Sequence, residues 1–582
     1  MPAILTLSTI LIPWLGAVVV WALGEKRQHL AGPAAVVFSG LAGLAALLLY
    51  PAASAESVID LPMGDAFGNL TLRPDGLACL LVAIATVIGC LAVIFSLDYM
   101  RGEHQLTRYY AFILLFIGAM TGLVLSGSLL YLFFFWEITA LSSYALISFN
   151  NDDPKAVRGG IKALIMTQVG GAGLLAGALA LYAATGSFQI DLVLAAPAAI
   201  PGGVLAFAAF GFLVAAAAKS AQFPFQTWLP DAMEAPTPIS ALIHAATMVN
   251  AGVYLLARFY PAFADVPGWK TAVIVVGVVT AISAALMAIV AGDLKRVLAY
   301  STVSQLGYMV YAIGLGAQTA VQFHLLSHAI FKALLFLSAG AVIHSVGTRD
   351  LERMGGLGKK MPFIRAAFVV GALALAGIPI LNGFWSKELI LEAGLEYGPA
   401  WGYWLMLIGA GLTALYSLRV TWLVFYGMPR TELHIHPAGK AMKTSLLVLT
   451  VGSFTSWLLV AVVTKISHLT LPYHKVDEIS IGTLVKEILA NPGTITALLT
   501  ILGGAAIWVI FMRFQNLPKF LRWTIRPIQS SFGMEAINTG ITRVVGFTAE
   551  KLRKTQTGLL SWNLVYIVIA LILTIVLLGV GA

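Results

Sequence analysis

Long apolar blocks, separated by short polar or charged segments, repeat along the whole chain. About 20 consecutive apolar residues in a helix cross the hydrocarbon core of a bilayer. Breaking the sequence at its charged residues, glycines and prolines gives sixteen blocks, at about 4–23, 31–50, 74–97, 109–126, 128–149, 159–184, 203–224, 238–258, 271–291, 298–315, 319–345, 362–397 with an internal break, 404–427, 442–464, 492–512 and 562–581. The pattern predicts an all-α polytopic membrane protein with about 16 transmembrane helices.

The composition agrees with a lipid environment. The 582-residue chain is 59% hydrophobic and only 10% charged, whereas about 25% of the residues in soluble domains are charged. The two cysteines, Cys79 and Cys90, fall in one apolar block, which argues against a disulfide framework or a thiolate metal site. The first block lacks a basic segment and a small-residue cleavage site, so we expect a membrane helix there rather than a signal peptide.

The chain has a net charge of +9, and its lysines and arginines are unevenly divided between the two sets of predicted loops. Loops after odd-numbered blocks carry 24 of the 35 lysines and arginines, and loops after even-numbered blocks carry six. Because cytoplasmic loops are enriched in these residues, the odd loops are predicted to be cytoplasmic. The chain is then expected in the cell's inner (cytoplasmic) membrane, with both termini on the outer side. The cations form no patch with interleaved aromatic residues, so no nucleic-acid partner is predicted.

Five cations remain inside predicted membrane helices, and ionisable residues are costly in lipid. They are Lys162, Lys219, Lys332, Lys387 and Arg419. Each is by default a hypothesis for a functional site, although the sequence suggests no role for Arg419.

Two of these lysines lie beside prolines. Lys219 precedes Pro224, and Lys387 follows Pro379. Proline removes a backbone hydrogen bond, so both helices are predicted to be broken near the middle of the membrane, with carbonyl groups facing a polar cavity. A lysine in such a place can gain or lose a proton as a neighbouring charge moves. The alternative is a lysine that reaches the membrane surface through its flexible stem.

The two broken blocks are the seventh and the twelfth. An offset of five helices inverts the orientation, which is the pattern of two five-helix units related by an inverted pseudo-two-fold axis. The units would be 109–258 and 271–427, and each would form a half-channel.

Three carboxylates stand out. Glu137 lies in the middle of an apolar block and must pair with a cation from another helix or take up a proton; the alternative is a static ion pair. Asp231 and Glu234 lie in a predicted cytoplasmic loop that itself has no cation. They are either solvated loop residues or the mouth of a cation-uptake path.

Histidines mark the eleventh block. His324, His328 and Lys332 recur every four residues, so they share one helical face. The spacing of the histidines resembles a zinc pair, but a third ligand is missing and the lysine would repel a dication, so a proton relay is the better interpretation. His244 is isolated in its block, and a hydrogen bond for helix packing is as good an interpretation as a role in the relay.

The chain resembles the antiporter-like family that comprises the large membrane subunits of respiratory complex I, related membrane-bound hydrogenases and Mrp-type sodium/proton antiporters. The segments that carry the resemblance are Trp136-Glu137, Lys219 to Pro224, Thr227 to Pro238, Leu242 to Met248, Asp293 to Thr302 and His324 to Phe336. The resemblance implies an ion pair of Glu137 with Lys219 and an exit at Lys387 and Glu388. The candidate proton relay is Glu137, Lys219, His244, His324, His328, Lys332, Lys387 and Glu388.

The predicted layout is similar to that of the distal, largest antiporter-like subunit of complex I. It comprises N-terminal helices (1–108), two half-channels (109–258 and 271–427), peripheral helices (428–512), an amphipathic lateral segment (513–560) and an anchor helix (561–582). Helix-like apolar spacing marks the lateral segment at Phe520, Leu521, Ile525 and Ile528. At 1.5 Å per residue, a lateral helix of this length reaches at most about 70 Å.

Three functions are compatible with these features. The first is a proton-translocating subunit of a redox-driven, complex I-type assembly, and the second is an Mrp-type Na⁺/H⁺ antiporter subunit, to which the sequence around Glu137 and Thr167-Gln-Val-Gly-Gly171 is closer. The third, a scaffold with a vestigial channel, leaves the buried cations unexplained. The sequence contains no phosphate loop or dinucleotide motif, so no cofactor, metal or redox site is predicted in this chain. Expected partners are other membrane subunits, lipids and protons, with Na⁺ as the alternative ion.

Overall fold

The structure is a computed structural model, and it describes residues 2–54, 57–64, 68–431, 436–513 and 527–555. It is 80% helical, which confirms a mostly helical polytopic membrane protein. A two-stranded antiparallel hairpin, β1 (Ile59–Pro62) and β2 (Asn69–Leu72), is an exception to the all-α prediction. The chain divides into two compact units, Met1–Leu517 and Pro518–Ala582.

The first unit contains 21 of the described α-helices. Those of its first half are α1 (Pro2–Leu23), α2 (Gln28–Leu49), α3 (Gly76–Tyr99), α4 (Leu106–Leu125), α5 (Leu129–Ile147), α6 (Pro154–Thr185), α7 (Ile190–Ala195), α8 (Gly202–Lys219), α9 (Trp228–Asp231), α10 (Thr237–Ala241) and α11 (Met248–Phe263). A π-helical turn, Leu242–Ala246, joins α10 to α11. The remaining helices are α12 (Trp269–Val290), α13 (Leu294–Leu315), α14 (Gln318–Val346), α15 (Pro362–Ala376), α16 (Asn382–Tyr397), α17 (Ala400–Thr421), α18 (Lys440–Thr455), α19 (Val460–Thr470), α20 (Ile481–Ala490) and α21 (Pro492–Arg513).

Helix ends follow local chemistry. The side chain of Asp293 accepts a hydrogen bond from the Arg296 amide (3.0 Å) and caps the start of α13, which satisfies one of the amides that a helix leaves free. The same helix ends at Gly316, whose φ of 81° is left-handed, a conformation that glycine adopts without a steric penalty. α6 starts at Pro154, directly after the capping Asp153.

Thirteen helices within the described residues are long and apolar enough to cross a membrane. Three of the sixteen predicted spans are not among them. The helix at 298–315 is present as α13 but has many polar residues, and the block at 362–397 is interrupted between α15 and α16. The block at 562–581 lies outside the described residues.

The second unit is described over 527–555. Its helix α22 (Met534–Thr555) is amphipathic, with Ile537, Val544 and Phe547 exposed. Of the residues that indicated a lateral segment, Ile528 is described, whereas Phe520, Leu521 and Ile525 lie outside the described residues.

Candidate functional site

Lys219 is the last residue of α8, and its side chain is fully buried. The Nζ atom donates a hydrogen bond to the carbonyl oxygen of Trp136 in α5 (2.9 Å) and lies 4.8 Å from the centroid of the indole ring. Both contacts favour a cation. The lysine is therefore held by neutral groups of the neighbouring helix.

Glu137 follows Trp136 in α5 and is half-buried. One carboxylate oxygen accepts a hydrogen bond from the amide of Gln168 in α6. The other faces Gly171, where an added Cβ would lie 2.6 Å from that oxygen. The charge of Glu137 acts electrostatically on Lys219, but each of the two groups has its own hydrogen-bond partner. The ion pair implied by the resemblance stays a prediction.

Lys387 lies in α16, after a break in the helix at 377–381. The chain turns at Gly377 (φ 85°), which leaves carbonyl groups at the end of α15 without helical partners. The buried Nζ of Lys387 donates to one of them, the carbonyl of Leu375 (2.7 Å), and lies 5.7 Å from the ring centroid of Tyr308. The negative end of the α15 dipole favours a cation here.

The predicted interruptions are present next to both lysines, but they differ in detail. Lys219 precedes an irregular stretch at 220–227, whereas Lys387 follows the break and belongs to the second helical segment. The two lysines therefore do not occupy equivalent positions relative to their helix ends.

His324, His328 and Lys332, which share one side of α14, are fully buried. His324 Nδ1 is 2.9 Å from the hydroxyl of Ser386 in α16, and the centroids of the His324 and His328 rings are 6.3 Å apart. Lys332 donates to the hydroxyl of Ser301 in α13. Within the described part of the chain, both ring nitrogens of His328 and Nε2 of His324 lack a hydrogen-bond partner.

His244 lies in the π-helical turn and is fully buried. Turns of this kind occur frequently at functional sites. Its ring centroid is 5.4 Å from that of Phe336 in α14, and the charges of Lys295 and Lys332 act on it. Neither ring nitrogen has a hydrogen-bond partner among the described residues, so no helix-packing hydrogen bond is seen there, and a role in the relay stays a prediction.

Glu388 is buried next to Lys387 and is subject to the charges of Lys387 and Glu392. Glu392, one turn further along α16, accepts a hydrogen bond from the amide of Asn491 at the start of α21 (2.9 Å). The polar line of α16 thus continues past the residues that the sequence indicated.

The carboxylates of the 231–234 loop are not free solvated groups. Asp231 accepts from Lys162 (2.7 Å) and Arg296 (2.6 Å). Glu234 accepts from Arg349 (2.5 Å). The loop has no cation of its own, and the cations that pair with its carboxylates come from α6, α13 and the segment after α14.

Lys162 was predicted inside a membrane helix, and α6, which contains it, is long and apolar enough to cross a membrane. The lysine lies two turns from the first residue of α6, and its side chain is 21% exposed and ion-paired with Asp231.

Arg349, the partner of Glu234, also bonds Asp293 (2.6 Å). Although burial acts in the opposite direction, its bond to Glu234 and the charge of Asp293 raise the pKa of Arg349.

Two further cations, Lys295 and Arg258, count among the loop cations in the sequence pattern but are buried in the structure. Lys295 donates to the carbonyls of Met233 (3.2 Å) and Ala235 (2.7 Å). Arg258 makes two bonds to Asp75, of 2.6 and 2.9 Å. The apolar residues after Arg258 were the available signal, because they allow α11 to continue to Phe263.

Arg419, which had no predicted role, donates to the carbonyl of Ala291 (3.0 Å) at the end of α12. It therefore satisfies a free carbonyl at a helix end. Groups of three or more His, Cys, Asp or Glu side chains that could hold a metal ion were not found in the described ranges.

Comparison with known proteins gives consistent relatives. Residues 126–413 match the family described as NADH:quinone oxidoreductase/Mrp antiporter, TM, and residues 61–110 match NADH-Ubiquinone oxidoreductase (complex I), chain 5 N-terminus. The chain is 43% identical to NADH-quinone oxidoreductase subunit L of Pseudomonas aeruginosa over 422 residues, which cover 70% of this chain and 69% of that one. It is 38% identical to Na(+)/H(+) antiporter subunit A1 of Staphylococcus aureus over 466 residues, 72% of this chain and 58% of that one.

Two solved structures share the fold. A chain of the Mrp complex from Dietzia sp. superposes with a TM-score of 0.84 and 30% identity, covering 99% of this chain and 63% of that one. A chain of the membrane-bound sulfane sulfur reductase, an archaeal respiratory membrane complex, gives a TM-score of 0.73 and 27% identity, covering 80% and 98%. The chain thus spans less than two thirds of the length of the Staphylococcus and Dietzia proteins.

Proposed function

Because the chain belongs to the family of NADH:quinone oxidoreductase and Mrp antiporter membrane subunits, we propose that it is a proton-translocating subunit of a redox-driven, complex I-type membrane complex. The observation that carries the proposal is a series of titratable groups within one unit, of which Glu137 is half-buried and the others are buried. They are Glu137, Lys219, His244, Lys332, His328, His324, Lys387 and Glu388. Such residues inside a membrane protein mark ion pathways.

The charges of this series act on one another. His244 is subject to the charges of Lys295 and Lys332, His324 to those of Lys387 and Lys332, and Glu388 to that of Lys387. A change of protonation at one group therefore alters the energy of protonation at the next. We assign His244, His324, His328 and Lys332 to the central relay and Lys387 with Glu388 to the exit.

Lys219 is the proposed loading site of the relay. Its partners are a carbonyl oxygen and an aromatic ring, which bind a cation without neutralising it. Movement of the Glu137 carboxylate away from the lysine would remove the favourable opposite charge. The lysine would then release its proton toward the relay, and Lys387 would release one outward.

The architecture proposed for this path has two inverted half-channels, 109–258 and 271–427. Support comes from the interruptions in the seventh and twelfth predicted spans and from π-helical turns at Leu242–Ala246 and Trp422–Tyr426. Flanking regions are the N-terminal helices (1–108), the peripheral helices (428–512), the lateral segment (513–560) and the anchor (561–582). A sixteen-helix count, the inner membrane and outward-facing termini complete the proposed topology.

The side of α5 and α6 that carries exposed apolar residues is the proposed interface with another subunit. Glu137 and Gln168 are only half-buried there and lie beside the exposed Phe134 and Leu141. A carboxylate in the middle of a membrane is unfavourable against lipid, so we expect another membrane subunit to cover this face. Exposed apolar side chains of α1 and α2, such as Leu11 and Leu44, suit lipid instead.

An Mrp-type Na⁺/H⁺ antiporter subunit without redox partners is the second candidate. The observation in its favour is the Dietzia Mrp chain, which superposes on 99% of this chain. Purification from native membranes separates the two candidates. Co-purification with iron–sulfur and quinone-binding subunits supports the first, whereas a complex of membrane subunits alone supports the second.

The test of translocation is replacement of Lys219 or Lys387 by Met in the complete complex. We expect proton translocation in reconstituted vesicles to be lost while assembly is retained, because Met fills the space but has no proton to exchange. Lys360, an exposed residue of the 347–361 loop, provides the control Lys360→Met, which should translocate like the wild type. Unchanged translocation in Lys219→Met and Lys387→Met would exclude the proposed roles.

A further inference from the structure

A line of buried polar side chains leaves the relay along α11. Asn250, Tyr254 and Arg258 are four positions apart and follow one side of α11. His244 precedes them in the π-helical turn, and Thr247 is the C-cap residue of that turn. All are buried, and only Arg258 has measurable exposure, at 6%. The eight residue steps from Asn250 to Arg258 correspond to about 12 Å along α11.

This polar line is not fully used for helix packing. Thr247 donates to Leu242 O (2.8 Å) and Asn250 to Ala245 O (2.9 Å). The Asn250 carbonyl oxygen and both His244 nitrogens have no hydrogen-bond partner in the described ranges. Buried polar atoms are nearly always hydrogen-bonded by protein or by ordered water, so these three atoms indicate ordered water beside His244 and Asn250.

The line ends at two arginine–aspartate pairs. Arg258 Nε donates to the hydroxyl of Tyr254 (3.3 Å), and its terminal nitrogens bond both oxygens of Asp75. Arg73 pairs with Asp191. Because each cation is matched by a carboxylate, the end of the line carries no net charge and does not repel a proton.

A small cavity lies beside these pairs, lined by Arg73, Asp75, Asp191, Arg258 and His474 among others. Its volume of about 20 Å³ is sufficient for one water molecule. His474 Nε2 donates to Ala257 O (3.1 Å), so Nδ1 of the neutral ring is an acceptor. That Nδ1 and the Nε donor of Arg73 both lack partners within the described residues, so the wall offers a donor and an acceptor.

From this arrangement we infer a second outward proton path, which branches from the relay at His244 and follows α11 to the cavity at Arg258 and Asp75. It deepens the proposed function and rests on it. His244 receives the proton, and water conducts it to the cavity. Asn250 holds this water, and so does Tyr254, as an acceptor only, because its hydroxyl donates to Val124 O (2.7 Å). Each transfer forms one N–H or O–H bond as it breaks another. The connection α11–α12 at the cavity end is on the side predicted to be outside, where a released proton belongs.

The direct test measures accessibility to Ag⁺, a thiol-binding ion small enough for a narrow aqueous path. In the complete complex with Cys79 and Cys90 replaced by Ala, Asn250→Cys is compared with Val253→Cys. Both sites are fully buried in α11, but only Asn250 lies on the polar line. Ag⁺ is added from the outer side, and blocked thiols are counted by later alkylation in denaturant. We expect Asn250→Cys to be blocked at least about tenfold faster, because a hydrated thiol forms the reactive thiolate more readily. Equal rates at the two sites would overturn the path.

A second measurement separates this path from the proposed function. Asn250→Leu removes the polar group, and we expect a partial loss of protons translocated per turnover with assembly retained. Lys219→Met, by contrast, should abolish translocation. Full translocation in Asn250→Leu together with loss in Lys219→Met refutes the α11 path alone. Full translocation in Lys219→Met refutes the proposed function.

Discussion

His474 provides a quantitative prediction of pH dependence outside the membrane helices. It lies in the connection between α19 and α20 and is 9% exposed. Burial and then the charge of Arg258 lower the pKa of His474 to about 4 from its ordinary 6.5, although Asp75 and backbone bonds act in the opposite direction. The folded segment therefore holds the neutral ring at pH values where the solvated ring is protonated.

The sign follows from proton binding. Above pH 6.5 both the closed and the open segment carry neutral His474, so pH has no effect through this group. As the pH falls toward 4, only the open segment binds the proton, and opening becomes more favourable. For pKa values of 6.5 open and about 4 closed, lowering the pH from 7.5 to 5 destabilises the closed segment by about 2 kcal/mol, or about 25-fold in the opening equilibrium.

Amide hydrogen exchange of residues 471–480 in the complete complex measures this opening, after correction for the intrinsic pH dependence of exchange. His474→Gln is the matched variant, because its amide can still donate to Ala257 O but does not titrate. We expect the extra opening at pH 5 in the wild type and its absence in His474→Gln. Identical pH dependence in the two proteins would show that the reasoning from burial is wrong.

Two further substitutions test close contacts. Gly171→Ala places a Cβ 2.6 Å from a Glu137 oxygen, so we expect the carboxylate to shift and the translocation rate to fall with assembly intact. An unchanged rate would show that the position of the Glu137 carboxylate does not matter for translocation. The control is Gly203→Ala, because nothing lies within 4 Å of a Cβ at that position. Asp75→Asn leaves Arg258 buried without a charge partner, and we expect a loss of roughly 3–5 kcal/mol in stability, measured as thermal unfolding in detergent. Partial recovery in Asp75→Asn/Arg258→Gln is expected, and a wild-type Tm for the single variant would count against the pair.

The sequence predicted those features that depend on one helix at a time. The spacing of His324, His328 and Lys332 places them on one side of α14, whatever surrounds that helix. The prolines near Lys219 and Lys387 predicted the helix interruptions. These inferences need only local geometry.

The partners of these groups could not be predicted in the same way. Lys295 bonds a carbonyl 60 residues away, and Arg258 bonds a carboxylate 183 residues away. The sequence pattern places both cations in loops because they fall at the end of an apolar block or between two blocks. Which helix end is covered by another segment is a property of tertiary packing, and the pattern of one segment does not contain it.

The described partners of the charges differ between the helix ends and the proposed relay. Near the helix ends, Asp231 and Arg258 are held in ion pairs with full charges on both sides, and removing a proton or moving one partner there is strongly unfavourable. Along the middle, Lys219, Lys332 and Lys387 are held by carbonyl or hydroxyl oxygens and aromatic rings. A lysine whose hydrogen-bond partners are neutral can lose its proton without breaking a direct ion pair. Protonation changes are therefore expected in the middle of the unit, between ion pairs that keep the helices in place.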